Sequence, residues 1–175
     1  MGRQIVKTDS VAQPIGPYSL GVRTGNLVFV SGTVGWRPDG SIPAGIREQC
    51  RQMYENVRHV LRAAGSGLEH VVSTTTYLVN ASDYRALNEL RAEYFAKEPP
   101  ASAVVVVKEL VRPELLVEVE VVAEIPAKRA SVASSSRRSA RKGEAKAALT
   151  MKHSLGLTGL LVLMRFSSSQ ASAVP

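Results

Sequence analysis

Apolar and polar positions along this chain follow two periods, and each period predicts a kind of element. Asn26 to Val30 is a compact apolar run that predicts a strand ending at Ser31-Gly32-Thr33. Residues 1–25 predict an extended entry and a turn, because Pro14 and Pro17 fix φ and push the residues before them toward extended geometry. From Ile46 the period becomes helical. Ile46, Cys50, Met53, Val57, Val60, Leu61 and Ala64 share one face, and Arg47, Glu48, Arg51, Glu55, Arg58 and Arg62 take the other positions. This pattern predicts an amphipathic helix of about five turns, stopped by Gly65 and Gly67.

Val71 to Val79 is β-branched and aromatic and predicts a strand. Ser82 is placed to cap a second helix, with Asp83 in its first turn. That helix carries Tyr84, Leu87, Leu90, Arg91, Tyr94 and Phe95 until Pro99-Pro100 bars its continuation. Ala103 to Val107 predicts another strand, Arg112-Pro113-Glu114 a turn, and Leu115 to Ile125 the last and longest strand. Strands, helix, strand, helix and two strands predict an α+β domain over residues 1–125. Two layers suffice, with two helices on one face of a mixed sheet. These strands are too apolar to face water on both sides, so self-association is the economical cover for the other face.

Charge separates residues 1–125 from the rest of the chain. The 175 residues carry 22 Lys and Arg against 15 Asp and Glu, a net +7. Residues 1–125 hold 13 basic and 14 acidic side chains, whereas residues 126–175 hold 9 basic and 1 acidic. The basic segment 126–175 is rich in Ala, Ser, Lys and Arg, lacks apolar periodicity up to Lys152, and is expected to be disordered. Nucleic acid is a conceivable partner for that tail, although no aromatics interleave its charges for base stacking. The near-neutral body does not suit a polyanion. The one cysteine, Cys50, excludes an internal disulfide and falls on the apolar face of the first helix, as a small buried hydrophobe would. His59, His70 and His153 match no metal motif. The apolar stretch Leu155–Met164 is about half the roughly 20 residues of a membrane span, and the N-terminus lacks the apolar core of a signal peptide. A cytoplasmic location without membrane contact is therefore expected.

Six segments in order resemble one family: Pro14-Ile15-Gly16-Pro17-Tyr18-Ser19, Val30-Ser31-Gly32, Asn56 with Ala63-Ala64-Gly65, Asn88 to Phe95, Pro100-Ala101, and Val117-Glu118-Val119-Glu120. Together they are similar to the Rid/YjgF family of enamine and imine deaminases, from about residue 5 to residue 125. The resemblance implies a chorismate-mutase-like subunit assembled as a homotrimer, with ligand clefts between neighbouring subunits. It also implies hydrolysis of small enamines and imines to 2-keto acids and ammonia, with no metal or organic cofactor. An older label within the family describes a ribonuclease acting on single-stranded RNA.

Imine hydrolysis needs an activated water, an acceptor for its proton and a donor to the substrate nitrogen. Glu118 and Glu120 stand two apart on a strand and project to the same face. Covering that face desolvates a carboxylate, raises its pKa and makes it a better base near neutrality. A solvated pair of acids is the alternative reading. By resemblance Glu118 is the water-positioning acid and Tyr18 a cleft tyrosine, while Gly32 and Asn88 contact ligand. Without the resemblance, Tyr18 is a packing aromatic, Gly32 a strand-end turn, and Asn88 a helix-interior asparagine that is mildly unfavourable.

One departure bears on substrate. The family carries an arginine after the Pro-Ala pair that grips a substrate carboxylate, and a cysteine two residues later. Here Ser102 and Val104 stand at those positions. Serine cannot form a forked ion pair, and losing one charged hydrogen bond weakens a carboxylated substrate about tenfold or more. Either the protein is a hydrolase whose substrate is larger, neutral or held by another cation such as Arg23, Arg37 or Arg91, or its cleft only binds a small metabolite or serves as a scaffold. A third class, RNA binding, would rest on the tail.

Overall fold

The computed structural model describes residues 2–127. Six strands form one sheet: β1 (Gln4–Val6), β2 (Gly21–Thr24), β3 (Leu27–Val34), β4 (Val71–Leu78), β5 (Ala101–Val106) and β6 (Val117–Glu124). Their spatial order is β1-β2-β3-β6-β4-β5. Helix α1 (Gly45–Ala63) joins β3 to β4, and α2 (Tyr84–Tyr94) joins β4 to β5. β4 and β5 pair in parallel, and β3 and β4 both run antiparallel to β6 between them. Both helices are therefore crossovers between parallel strands, and both carry the chain in the same direction across the sheet. Right-handed connections then put both on one face. The fold is two-layered α+β, as the order of elements predicts.

The core lies between the helices and that face. α1 contributes Cys50, Met53, Val57, Val60 and Leu61, and α2 contributes Leu87 and Leu90. Val28, Val30, Leu78, Val117, Val119 and Val121 meet them from the sheet. Each such side chain contributes about 1.5–3 kcal/mol by leaving water. Burial pushes the Cys50 thiol up to about 12, which makes it inert as a nucleophile. Tyr54 is buried too, its ring 4.7 Å from that of Tyr94 and edge-on to Phe95 at 5.7 Å, which locks the two helices together. Helix α1 ends as its glycine requires. Gly65 takes φ +83, its N–H donates to the Arg62 carbonyl, and the Ser66 N–H reaches back to Leu61 at 2.8 Å.

Four local expectations are corrected. Residues 1–25 contribute two strands rather than only an extended entry, because β1 and β2 continue the ladder beyond β3. β3 does not stop before Ser31-Gly32-Thr33 but runs through it with a bulge between Val30 and Thr33, since pairing with β6 resumes beyond. Ser82 does not cap α2: Ala81–Asp83 already forms a 3₁₀ turn, and no side chain caps the helix. β6 is eight residues long, no longer than β3 or β4. The expectation of a disordered basic tail concerns residues that, from 128 onward, lie outside the described residues.

Candidate active site

The residues singled out from the sequence gather in two groups. The first is built on β6 and the bulge of β3. β6 alternates strictly: Val117, Val119, Val121 and Ala123 enter the core, and Glu118, Glu120 and Glu124 point to the helix-free face. Glu118 is half-buried and Glu120 is exposed. Burial, then the Glu120 charge, raises the Glu118 pKa above the ordinary carboxylate range. Tyr77, across from Glu118 on β4, does not bond to it. Its hydroxyl donates to Glu120 Oε2 at 2.9 Å. Glu120 is thereby engaged, while Glu118 has no side-chain hydrogen bond among the described residues.

Gly32 explains where Glu118 sits. A Cβ at Gly32 would overlap Oε1 of Glu118 and lie 3.0 Å from its Cδ, so the carboxylate fills the space of the missing side chain. On its other side Gly32 lines a cavity of about 50 Å³ together with Tyr18, Trp36 and Asn56. Tyr18 is half-exposed and available at the surface. Asn56 is buried and holds this corner in place. Its amide donates to the carbonyls of Val34 at 2.9 Å and Trp36 at 2.7 Å, and its oxygen accepts from Gln52. The Trp36 indole N–H is buried without a partner among the described residues.

The second group lies on the helix side of the sheet, at its β5 edge. Asn88, Ser102 and Val104 line a groove of about 990 Å³ between α2 and β5. Parallel pairing sets Ser102 beside Thr74, whose hydroxyl donates to Ser102 Oγ at 3.1 Å. From α2 the Arg91 guanidinium donates to both Ser102 Oγ and Asn88 Oδ1. The uncharged Ser102 position, read from the sequence as lacking a cation, thus has one beside it. Of the three cations offered by the sequence, Arg91 is the one at this place. Arg37 bonds Ser41 within its own turn, and Arg23 lies on β2, toward the opposite edge of the sheet.

Within one copy the two groups remain apart. Glu118 and Ser102 point to opposite faces, and β4 separates their strands. The helix-free face nevertheless carries Phe29 at 45% exposure and Val105 at 44%, and β5 is an edge strand. Among the described residues no cluster of three or more His, Cys, Asp or Glu could hold a metal. No helix among them is long and apolar enough to cross a membrane. Sequence reasoning missed Tyr77 as the partner that tells the two acids apart. Its signal was available, since period two puts Thr75 and Tyr77 on the face of Glu118.

The chain is similar to known proteins over this same region. A family profile described as Endoribonuclease L-PSP matches residues 8–125. A RutC family protein of Pyrococcus horikoshii is 37% identical over 123 residues, which is 69% of this chain and 97% of that protein. A 2-iminobutanoate/2-iminopropanoate deaminase of Mus musculus is 34% identical over 123 residues, 69% of this chain and 90% of that one. The crystal structure of RidA from an Antarctic Psychrobacter superposes with a TM-score of 0.68 at 33% identity, covering 70% of this chain and 99% of that chain. With the motifs, the sheet order and these relatives in agreement, the chain belongs to the Rid/YjgF family.

Proposed function

We propose that this protein hydrolyses small imines and their enamine tautomers, releasing ammonia and a carbonyl compound, in a cleft made by two copies of the chain. The observation that carries the reading is the Glu118 carboxylate: half-buried, raised in pKa, free of side-chain partners among the described residues, and set against Gly32. A carboxylate in that state is a stronger base toward water than an ordinary one. Glu118 takes one proton from the water as the oxygen–carbon bond forms and the C=N π electrons move to nitrogen. It returns that proton to the nitrogen of the resulting carbinolamine. Glu118 then moves the carbinolamine hydroxyl proton to the same nitrogen as the C–N bond breaks and the C=O bond forms, and ammonia leaves with no redox partner consumed. Tyr18 supplies the hydroxyl that donates to the substrate nitrogen, and the Gly32 backbone lets the reacting carbon approach.

Self-association completes the site. The exposed apolar positions Phe29 and Val105 and the free β5 edge favour a second copy. Its Asn88–Ser102–Val104 groove would then face Glu118 and Tyr18. The mouse relative named as a 2-iminobutanoate/2-iminopropanoate deaminase supports the reaction class.

The test uses the full chain and imines generated in situ from amino acids. Wild type is expected to accelerate release of ammonia and 2-oxo acid, and Glu118→Gln to lose about 10²–10⁴-fold. Equal rates with and without wild-type protein, across imines of neutral and acidic character, would refute the reading. A monodisperse single subunit in solution would refute the composite cleft.

A further inference from the structure

We infer that Arg91 is the anion receptor of this cleft, and that the groove behind it selects carboxylated ligands with bulky apolar side chains. The inference deepens the hydrolase reading and rests on it for the identity of the reacting group.

Of the other arginines on the same two helices, Arg47, Arg51, Arg58 and Arg85 each reach a carboxylate within 4.0 Å, and Arg62, which reaches none among the described residues, is exposed to water. Arg91 reaches none among the described residues, although it is half-buried. Its two partners, Ser102 Oγ and Asn88 Oδ1, are neutral acceptors. They orient the guanidinium without neutralising it. A guanidinium has five N–H donors, and one bond to each partner leaves others for a ligand. A partly desolvated cation held by neutral groups favours an anion that restores the balance.

The surroundings decide which anion. The walls beside Arg91 are apolar: Leu78, Phe95, Val104 and Val106, with Pro99 and Pro100 at one end. Among the described residues, no lysine and no second arginine line the groove. One fork balances the single charge of a carboxylate, whereas a phosphate, which a fork also grips, carries more charge and calls for further cations. At about 990 Å³ the groove also has space beyond a two- or three-carbon side chain. Asn88 and Arg91 are three apart on α2, so one helix face presents both the receptor and the group that holds it.

The experiment measures two things on the full-length protein. The first is steady-state hydrolysis of imines bearing a carboxylate or the corresponding amide. The second is calorimetric binding of 2-oxobutanoate, of 4-methyl-2-oxopentanoate, of their amides and of inorganic phosphate. For Arg91→Met the expected result is a KM for carboxylated imines, and a Kd for both 2-oxo acids, raised about ten- to a hundredfold. For the corresponding amides the rise should be several-fold smaller, because they lose a neutral hydrogen bond and no ion pair. Arg91→Lys, which keeps the charge and the fold but loses the fork, should fall between. Adding Ser102→Arg to Arg91→Met moves the guanidinium from helix to strand and should recover part of the loss. The branched 2-oxo acid should bind more tightly than 2-oxobutanoate. The opposite order would overturn the size selection.

Hydrolysis by wild type with an Arg91-indifferent KM and Kd overturns the receptor and leaves the hydrolase reading standing. Arg91-dependent binding of 2-oxo acids without hydrolysis overturns the hydrolase reading and leaves the receptor standing. Arg91-dependent binding of phosphate in preference to the 2-oxo acids overturns the carboxylate assignment. Neither binding nor hydrolysis overturns both.

Discussion

The Tyr77 hydroxyl donates to Glu120 Oε2 at 2.9 Å although Tyr77 is paired with Glu118 in the ladder, and this diagonal bond gives two acids on one strand different surroundings. Glu120 is occupied, and it acts on Glu118 through its charge. Glu120→Gln is therefore expected to lower the pKa of Glu118, because removing a like charge favours ionisation. In the proposed hydrolysis Glu118 acts deprotonated. The acid limb of the kcat/KM profile should move to lower pH in Glu120→Gln, with less than about a tenfold loss on the plateau. An unmoved limb would count against Glu118 as the titrating base.

The same raised pKa has a cost in stability. Glu118 holds its proton more firmly in the folded chain than in the unfolded one. Between the two pKa values the native state binds more protons, so stability falls as pH rises through that window and stays lower above it. Glu118→Gln removes this penalty. Its Tm should exceed that of wild type near neutral pH, and the difference should shrink at a pH below the ordinary carboxylate range. Thermal melts across that range check the sign, and a lower Tm for the variant at neutral pH would contradict it.

Gly32 and Glu118 occupy each other's space, so their substitutions should not add. Gly32→Ala forces the carboxylate aside and is expected to lose most activity while destabilising by only about 1 kcal/mol, because the atoms it meets are the end of a flexible side chain. In a Glu118→Ala background the same change meets no carboxylate and should cost less. A double-mutant cycle by denaturant unfolding measures the coupling, and additivity within about 0.5 kcal/mol would show that the two do not touch.

Asn56 is the support of that corner. Asn56→Ala leaves the carbonyls of Val34 and Trp36 without their donor. Buried acceptors left unmet cost about 1–3 kcal/mol each, so a loss of at least about 2 kcal/mol is expected. Asn56→Asp, similar in shape but unable to donate to carbonyls when ionised, should be no better. Chemical denaturation of the three proteins tests this.

Much of the fold is legible because periodicity reports burial directly. Of the seven apolar positions read for the first helix, five are buried on α1, Ala64 is buried at its cap and Ile46 packs partly buried against the core, and the valines at 117, 119 and 121 of β6 point where alternation puts them. The apolar period of α1 does not include Tyr54, yet this residue is 1% exposed, because its ring finds Tyr94 and Phe95 across the helix pair. β1 and β2 are hidden for a related reason. Strands of three and four residues are too short for alternation to declare them, and these form because β3 offers an edge to β2 and β2 offers one to β1. In the site, alternation is enough to find Glu118 and Glu120, but it cannot say which one a tyrosine engages. Ser102 shows the sharper limit. A residue type at one position says nothing of the guanidinium that another element brings to it.

β6 serves two environments at once, every second residue facing each. Deleting a single amino acid upstream within it would swap the sides, sending carboxylates inward among valines and hydrocarbon outward. Few lesions of that size could harm folding and chemistry together. This strand should tolerate exchange of side chains far better than any change in its length.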